Sequence, residues 1–309
     1  MKQSDISIRV YDGNDEAIVS AIKTHFPEIE VTQEPLNTER RERILVTFRP
    51  PSDEDLSIYT WIHAPAAGVD AIFEAISDQP KRPLVTRTIG KMGQQIGEYC
   101  VGYSLAYLQK MSERREAQSR KRWDRARLAP THLFNCDVAI LGTGSIGQGI
   151  ATAFAGFGAQ VTGYSRSGRA TDGFSKVSKL TGFGKDRHHQ IVVSALPSTP
   201  DTAGIVSTNV FETLEGAIFI NVGRGSTIDE GALRTALSGR QVAQAILDVF
   251  ETEPLPPTSW LWEHPRVMVT PHVSGLTLPE DSADRLVELL EQALSGKRPK
   301  PDADMSRGY

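Results

Sequence analysis

Three side chains stand just beyond runs of β-forming residues. Arg224 follows AIFINVG, Glu253 comes a few residues after AILDV, and His272 lies two residues after RVMVT. An arginine offers a planar fork that grips a carboxylate through two hydrogen bonds. A histidine gives and takes a proton near neutral pH, and a carboxylate beside it orients the ring and favours its cation. Together these are the parts needed to reduce a 2-keto acid by hydride transfer. Each alone has a plain structural use: Arg224 in a surface ion pair, Glu253 as a loop carboxylate, His272 as a strand-end cap.

A second group has the spacing of a phosphate cradle. Gly142-Thr143-Gly144-Ser145-Ile146-Gly147 directly follows the apolar run VAIL and opens a helical pattern. In a G-x-G-x-x-G the first glycine makes the tight turn, the second lets backbone approach a pyrophosphate, and the third lets helix pack on strand. The helix N-terminus adds amide N–H groups and positive dipole. At the end of the next apolar run, where an acidic residue would accept from a ribose 2′-hydroxyl, the chain reads Tyr164-Ser165-Arg166-Ser167-Gly168-Arg169. No carboxylate stands there, and Ser165, Arg166 and Arg169 suit a 2′-phosphate through charge-assisted bonds. The expectation is a site that prefers NADP(H), with NAD(H) as the second dinucleotide.

These groups need strands that end at one edge of a sheet, and the chain supplies the pattern. Strand candidates at 138–142, 160–164, 191–195, 217–222, 243–249 and 266–270 alternate with helix-length segments, as in a doubly wound parallel sheet. Before them ISIRVYD (6–12), a helix from Asn14 to Thr24, EIEVT, RILVTF, TWIHA and PLVTR (83–87) suggest a second, smaller α/β domain. A helical stretch from about Lys91 to Met111 reads as the connector. A last helix, Pro279 to Leu294, with proline tolerated in its first turn, lies beyond the final strand and is expected to return to the first domain.

At 309 residues the chain has room for two such domains, and 39% hydrophobic against 23% charged residues is globular composition. A net charge of -4 gives no global field for nucleic acid or anionic membrane, no run of about 18 apolar residues occurs, and the N-terminus lacks a signal-peptide core. Two cysteines, Cys100 and Cys136, cannot form a disulfide framework and read as small packing residues. A cytoplasmic location is expected. The basic run Arg114, Arg115, Arg120, Lys121, Arg122, Arg125 and Arg127, with Trp123 in it, could suit nucleic acid, but Glu113, Glu116 and Asp124 interleave. His188-His189 carries no metal expectation, because neighbouring strand residues face opposite sides and no cysteine or carboxylate pair accompanies them.

Asn221-Val222-Gly223-Arg224-Gly225, Leu247-Asp248-Val249-Phe250 running into Glu253-Pro254-Leu255-Pro256, and Thr270-Pro271-His272 resemble signature segments of the D-isomer-specific 2-hydroxyacid dehydrogenases. The resemblance extends to Ala67-Gly68-Val69-Asp70, Gly97-Glu98-Tyr99 and Leu196-Pro197-Ser198-Thr199, and is closest to the glyoxylate/hydroxypyruvate reductases.

That resemblance implies two α/β domains with a cleft between them. A flavodoxin-like substrate domain would span 1–97, completed by 278–309, and a Rossmann-type dinucleotide domain 98–277. It implies that Arg224 binds the substrate carboxylate and carbonyl, that Glu253 pairs with His272, and that His272 is the general acid/base. The amides of Ala67 and Gly68 would hold the carboxylate. The amides of Ser145 and Ile146 would hold the pyrophosphate, and Asp248 would face the nicotinamide carboxamide. Leu196, Pro197, Val222 and Gly223 would line the cofactor. It also implies that the basic run belongs to an arm reaching a partner subunit, hence a homodimer. The sequence departs from the family at Ser165, where an aspartate is usual, and at His188-His189, where an aspartate usually precedes the strand. Two other readings stay open: a nucleotide-sensing, corepressor-like interaction protein on the same fold, and a dehydrogenase for bulkier aryl 2-keto acids. The segment around Trp260-Leu261-Trp262 is expected to shape the pocket.

Overall fold

The structure, a computed structural model, describes residues 2–11, 15–37, 39–185 and 188–304. The chain divides into two compact units, Met1–Lys91 with Thr277–Tyr309, and Met92–Leu276.

The first unit carries strands β1 (Ile6–Val10), β2 (Glu30–Thr32), β3 (Glu42–Val46), β4 (Trp61–Ala64) and β5 (Leu84–Arg87), all parallel in the order β2-β1-β3-β4-β5. This is the flavodoxin-like order. Helices α1 (Asp15–His25) and α2 (Asp70–Ala75) complete its chain-local elements; Asp12 and Asn14, the expected ends of the first strand and helix, lie outside the described residues. The C-terminal helix, Pro279–Leu294, returns to this unit and buries Leu286, Leu289 and Leu290 against Ile18, Ile22 and the β1 residues Ile6 and Ile8. Its apolar positions recur every three or four residues, which is the stripe that such a helix must bury.

The end of β4 holds a fully buried polar knot. The Trp61 indole N–H donates to Thr86 Oγ1 at 2.8 Å, and the His63 ring reaches Thr86 Oγ1 at 2.8 Å and Thr88 Oγ1 at 3.1 Å. Burial, with Arg285 adding positive potential, pushes His63 down to about 3, so the ring is neutral.

The second unit carries α3 (Met92–Leu108), α4 (Met111–Ser119), β6 (Asp137–Leu141), α5 (Ser145–Gly156), β7 (Gln160–Ser165), β8 (Lys176–Lys179), β9 (Ile191–Ser194), α6 (Thr208–Phe211), β10 (Ala217–Asn221), α7 (Glu230–Ser238), β11 (Val242–Leu247) and β12 (Val267–Val269). Its seven parallel strands run β12-β11-β10-β9-β6-β7-β8, the 3-2-1-4-5-6 order of the doubly wound fold with one strand added. Successive residues of β6 serve opposite faces. Val138 and Ile140 pack with Ile150 and Phe154 of α5, while Ala139 and Leu141 pack with Leu233 and Leu237 of α7. Strands covered on both sides are for this reason continuously apolar.

Two sequence expectations change. The helix read from about Lys91 to Met111 forms as α3, and a further helix, α4, follows it after Lys110 adopts a left-handed conformation (φ 51°). The structural division falls at 91/92 instead of 97/98, since α3 packs on α5 from its first turn, with Gly93 backbone against Gly149. The sheet has a strand more than the six read from the sequence: β8, Lys-Val-Ser-Lys, is a short edge strand with exposed lysines at both ends and no apolar run to betray it. Among the described residues no helix is long and apolar enough to cross a membrane.

Candidate active site

The glycine-rich turn is built as its spacing requires. Gly142 has φ +104°, and a Cβ there would meet the Ala195 carbonyl at 2.8 Å; a Cβ on Gly147 would strike the Gly142 oxygen. Strand and helix can therefore close on one another only without side chains at these positions. Gly144 is the N-cap of α5 and offers no side chain to bond the first helical amides. The N–H groups of Ser145 and Ile146 thus keep their capacity for an anion. This cradle fits a dinucleotide pyrophosphate.

Ser165 ends β7, and its Oγ accepts from Gly168 N–H at 3.1 Å, closing the turn that displays Arg166 and Arg169. Both arginines are exposed, and Arg166 lies 3.5 Å from Asp201. An ion pair so open to water is weak, so Arg166 can exchange this partner for a phosphate. Behind the turn, Tyr164 OH lies 2.9 Å from His189 Nε2 in a pocket with Phe183, while His188 faces outward 3.7 Å from Glu215. Leu196 is buried and Pro197 half-buried on the segment after β9.

Arg224 follows β10 through Val222 and Gly223. The loop is held by Asn221, whose side chain donates to the Arg224 carbonyl at 3.1 Å and accepts from Gly223 N–H at 3.2 Å. Thr227 Oγ1 donates to the same carbonyl at 2.7 Å. The guanidinium is half-buried and donates to Gly223 O at 2.8 Å. Gly225 lies directly on the Phe250 backbone, which brings the Arg224 loop against the segment that carries Glu253.

His272 Nδ1 is 2.7 Å from Glu253 Oε2, and Glu253 Oε1 accepts from Phe250 N–H at 2.9 Å. One carboxylate oxygen is thus spent on fixing the loop and the other on fixing the ring. Among the described residues the histidine Nε2 has no protein partner, and the side chain is 47% exposed. Nδ1–H bonded to a carboxylate leaves Nε2 to exchange a proton with a bound molecule.

His272 has φ +54°, a left-handed conformation that carries a cost for any residue but glycine. What holds it is Asp248, fully buried at the end of β11. Its Oδ1 accepts from Thr270 Oγ1 (2.5 Å) and Val273 N–H (2.9 Å), its Oδ2 from Ser274 N–H (2.8 Å), and its backbone carbonyl from His272 N–H (2.9 Å). A carboxylate can only accept, so the Thr270 hydrogen points to Asp248. The Tyr99 hydroxyl, 2.7 Å away on α3, must then donate to Thr270. Burial pushes the Tyr99 phenol up, as it does the Cys100 thiol beside it; Cys100 is a packing residue and no nucleophile.

A model of the D-isomer-specific 2-hydroxyacid dehydrogenase NAD-binding domain matches residues 101–274, more than half of the chain. Glyoxylate/hydroxypyruvate reductase A of Serratia proteamaculans is 32% identical over 96% of this chain and 97% of its own. The chain belongs to the D-isomer-specific 2-hydroxyacid dehydrogenases. Among solved structures, the family member from Xanthobacter autotrophicus Py2 in complex with NADPH and MES is similar at TM-score 0.85 and 30% identity, over 98% of this chain and 99% of that one. The NADPH-dependent glyoxylate/hydroxypyruvate reductase of Sinorhizobium meliloti, solved with NADP and sulfate, gives TM-score 0.82 at 25% identity over 98% and 100%. The protein is accordingly an NAD(P)-dependent oxidoreductase of this family.

Of the expected site residues, Ala67 and Gly68 lie in the first unit between β4 and α2, and all the others lie in the second. The structure joins Glu253 to His272 and ties Asp248 to the histidine's loop. Asp201 beside Arg166, and the chain from Tyr99 through Thr270 to Asp248, were not anticipated, since they link residues that no local spacing relates. Trp260 and Leu261 serve packing: Leu261 is buried, and Trp260 stacks with Arg234 and donates to Glu230 of α7.

Proposed function

We propose that this protein reduces small 2-keto acids, glyoxylate and hydroxypyruvate first among them, to 2-hydroxy acids, the D isomer wherever C2 becomes a stereocentre, with NADPH preferred over NADH. The observation that carries the reading is the 2.7 Å pair of Glu253 and His272 Nδ1, which leaves Nε2 available to a substrate oxygen. The nicotinamide, when bound, supplies the hydride. The Ser145 and Ile146 amides would hold the pyrophosphate, Leu196, Pro197, Val222 and Gly223 would line the dinucleotide, and Asp248 would face the carboxamide. Ser165, Arg166 and Arg169 hold the 2′-phosphate. Arg224 clamps the substrate carboxylate with the Ala67 and Gly68 amides, and His272, protonated at Nε2, gives its proton to the keto oxygen so that charge does not accumulate there. Glu253 keeps the ring in place and balances its cation.

The names of the reductases from Serratia and Sinorhizobium support the substrate class, and the dinucleotides bound in the Xanthobacter and Sinorhizobium structures support the cofactor preference. The α4 segment and the basic run after it, where Trp123 is 98% exposed, serve as the arm of a cytoplasmic homodimer. The test is NADPH oxidation over a panel of glyoxylate, hydroxypyruvate, pyruvate and phenylpyruvate. Turnover is expected to be highest on the first two, and flat traces across the panel would refute the proposal.

A further inference from the structure

The loop bearing Ala67 and Gly68 is tied from behind. Arg87, the last residue of β5, sends Nη1 to the Ala67 carbonyl oxygen at 2.9 Å. The peptide joining Ala67 to Gly68 is one rigid plate, and in the trans form its oxygen and its N–H point in opposite directions. A guanidinium that fixes the oxygen therefore aims the Gly68 N–H away from itself. Because the two ends of a peptide polarise together, the same positive charge makes that N–H a stronger donor. Two residues earlier, Ser282 Oγ of the C-terminal helix donates to the Pro65 carbonyl at 3.0 Å and anchors the loop's entry.

Arg87 is itself seated by the C-terminal segment. Its backbone N–H donates to Asp302 Oδ1 at 2.8 Å, and Asp302 Oδ2 accepts from Arg285 Nη2 at 2.9 Å. Arg285 Nη1 in turn reaches Glu288 at 2.6 Å. Because β5 is an edge strand, Asp302 and not a neighbouring strand receives the Arg87 amide.

We infer that Arg87 is a positioning residue for the substrate carboxylate: it aims and polarises the Gly68 amide, and Asp302, bridging Arg285 to the Arg87 backbone, holds it in register. This rests on the reading above in which the Ala67 and Gly68 amides bind that carboxylate. The C-terminal segment is then part of the apparatus that recognises the acid.

The test uses the full-length enzyme with glyoxylate and NADPH. Arg87→Met should raise KM for glyoxylate about tenfold or more, the usual scale for a lost charge-assisted bond, with kcat and KM for NADPH nearly unchanged. Arg87→Lys, which can still donate to the Ala67 oxygen, should recover part of the loss. Asp302→Ala should give a smaller rise, and Asp302→Asn, which keeps an acceptor for the Arg87 amide, a smaller one still. Inhibition by oxalate should weaken in the same order. An unchanged KM in Arg87→Met, or KM, kcat and melting temperature moving together without rescue by lysine, would overturn the inference. Gly68→Pro, which deletes the N–H, separates the two layers. If it raises KM while Arg87→Met does not, only the role of Arg87 falls. If Gly68→Pro leaves glyoxylate KM unchanged, the carboxylate reading of the loop falls and the inference with it.

Discussion

The hydrogen-bond chain from Tyr99 through Thr270 to Asp248 makes a prediction whose sign changes with background. Thr270→Val keeps the shape of the side chain and removes only the hydroxyl. Asp248 loses a 2.5 Å bond to a buried carboxylate, and the Tyr99 hydroxyl loses its acceptor. A hydrogen bond to a charged group contributes about 1.5–3 kcal/mol, and orphaning the half-buried Tyr99 hydroxyl costs about 1 kcal/mol. The sum, about 3 kcal/mol, corresponds to a fall of roughly 6–12 °C in melting temperature for a unit of this size. Tyr99→Phe in the wild-type background loses one neutral bond and should cost about 1 kcal/mol. In the Thr270→Val background the same change removes an orphan and should be neutral or stabilising. Urea unfolding of the four proteins gives the coupling, expected at about 1 kcal/mol or more. Glyoxylate turnover should fall with Thr270→Val, because the loop that strains His272 loses an anchor. Additive single-variant effects would refute the direction assigned to this chain and the role given to Asp248.

Arg224→Lys keeps the charge and loses the fork, so kcat/KM for glyoxylate should drop about 10- to 100-fold while the dissociation constant for NADPH stays put. Ser165→Asp combined with Arg166→Ala should reverse the dinucleotide preference, read as the ratio of kcat/KM with NADPH to that with NADH; an unaltered ratio would place the determinant elsewhere. His272→Ala should abolish most turnover in both directions, yet bind NADPH in fluorescence titration as wild type does. His63 is held near 3 in the fold against about 6.5 unfolded. The unfolded chain takes up the proton first as pH falls, so the contribution of His63 is complete above about 6.5 and is lost between there and about 3, at up to about 1.4 kcal/mol per pH unit. Urea midpoints measured against pH should lose this slope in His63→Gln.

Local pattern made most of the molecule legible. The continuous apolar runs of β6, β9 and β10 and the amphipathic stripe of Pro279–Leu294 each announce what must be buried, and Gly142 and Gly147 announce a turn that a Cβ would block. The polar edge strand β8 carries no such signal, because one exposed side relaxes the demand for apolar residues. The short helix α4, beyond the expected end of the connector, was not read because the stretch from Met111 to Ser119 buries none of its side chains and carries no apolar stripe. In the site, the strand-end position of Arg224, Glu253 and His272 was readable from spacing. Thr270, Tyr99 and Asp201 were not, as partners far apart in the chain leave no periodicity. Asp248 was read as a cofactor contact, whereas its buried carboxylate also organises the backbone around the histidine.

The left-handed backbone of His272 bears on how the enzyme responds to selection. A residue other than glycine at that angle carries about 1–3 kcal/mol of strain, and glycine there would relax it. A library screened for heat resistance alone should therefore enrich His272→Gly, yielding hardier proteins that have lost the acid/base group. Any programme to harden this chain needs a turnover screen at every round, because at this position stability and chemistry pull in opposite directions.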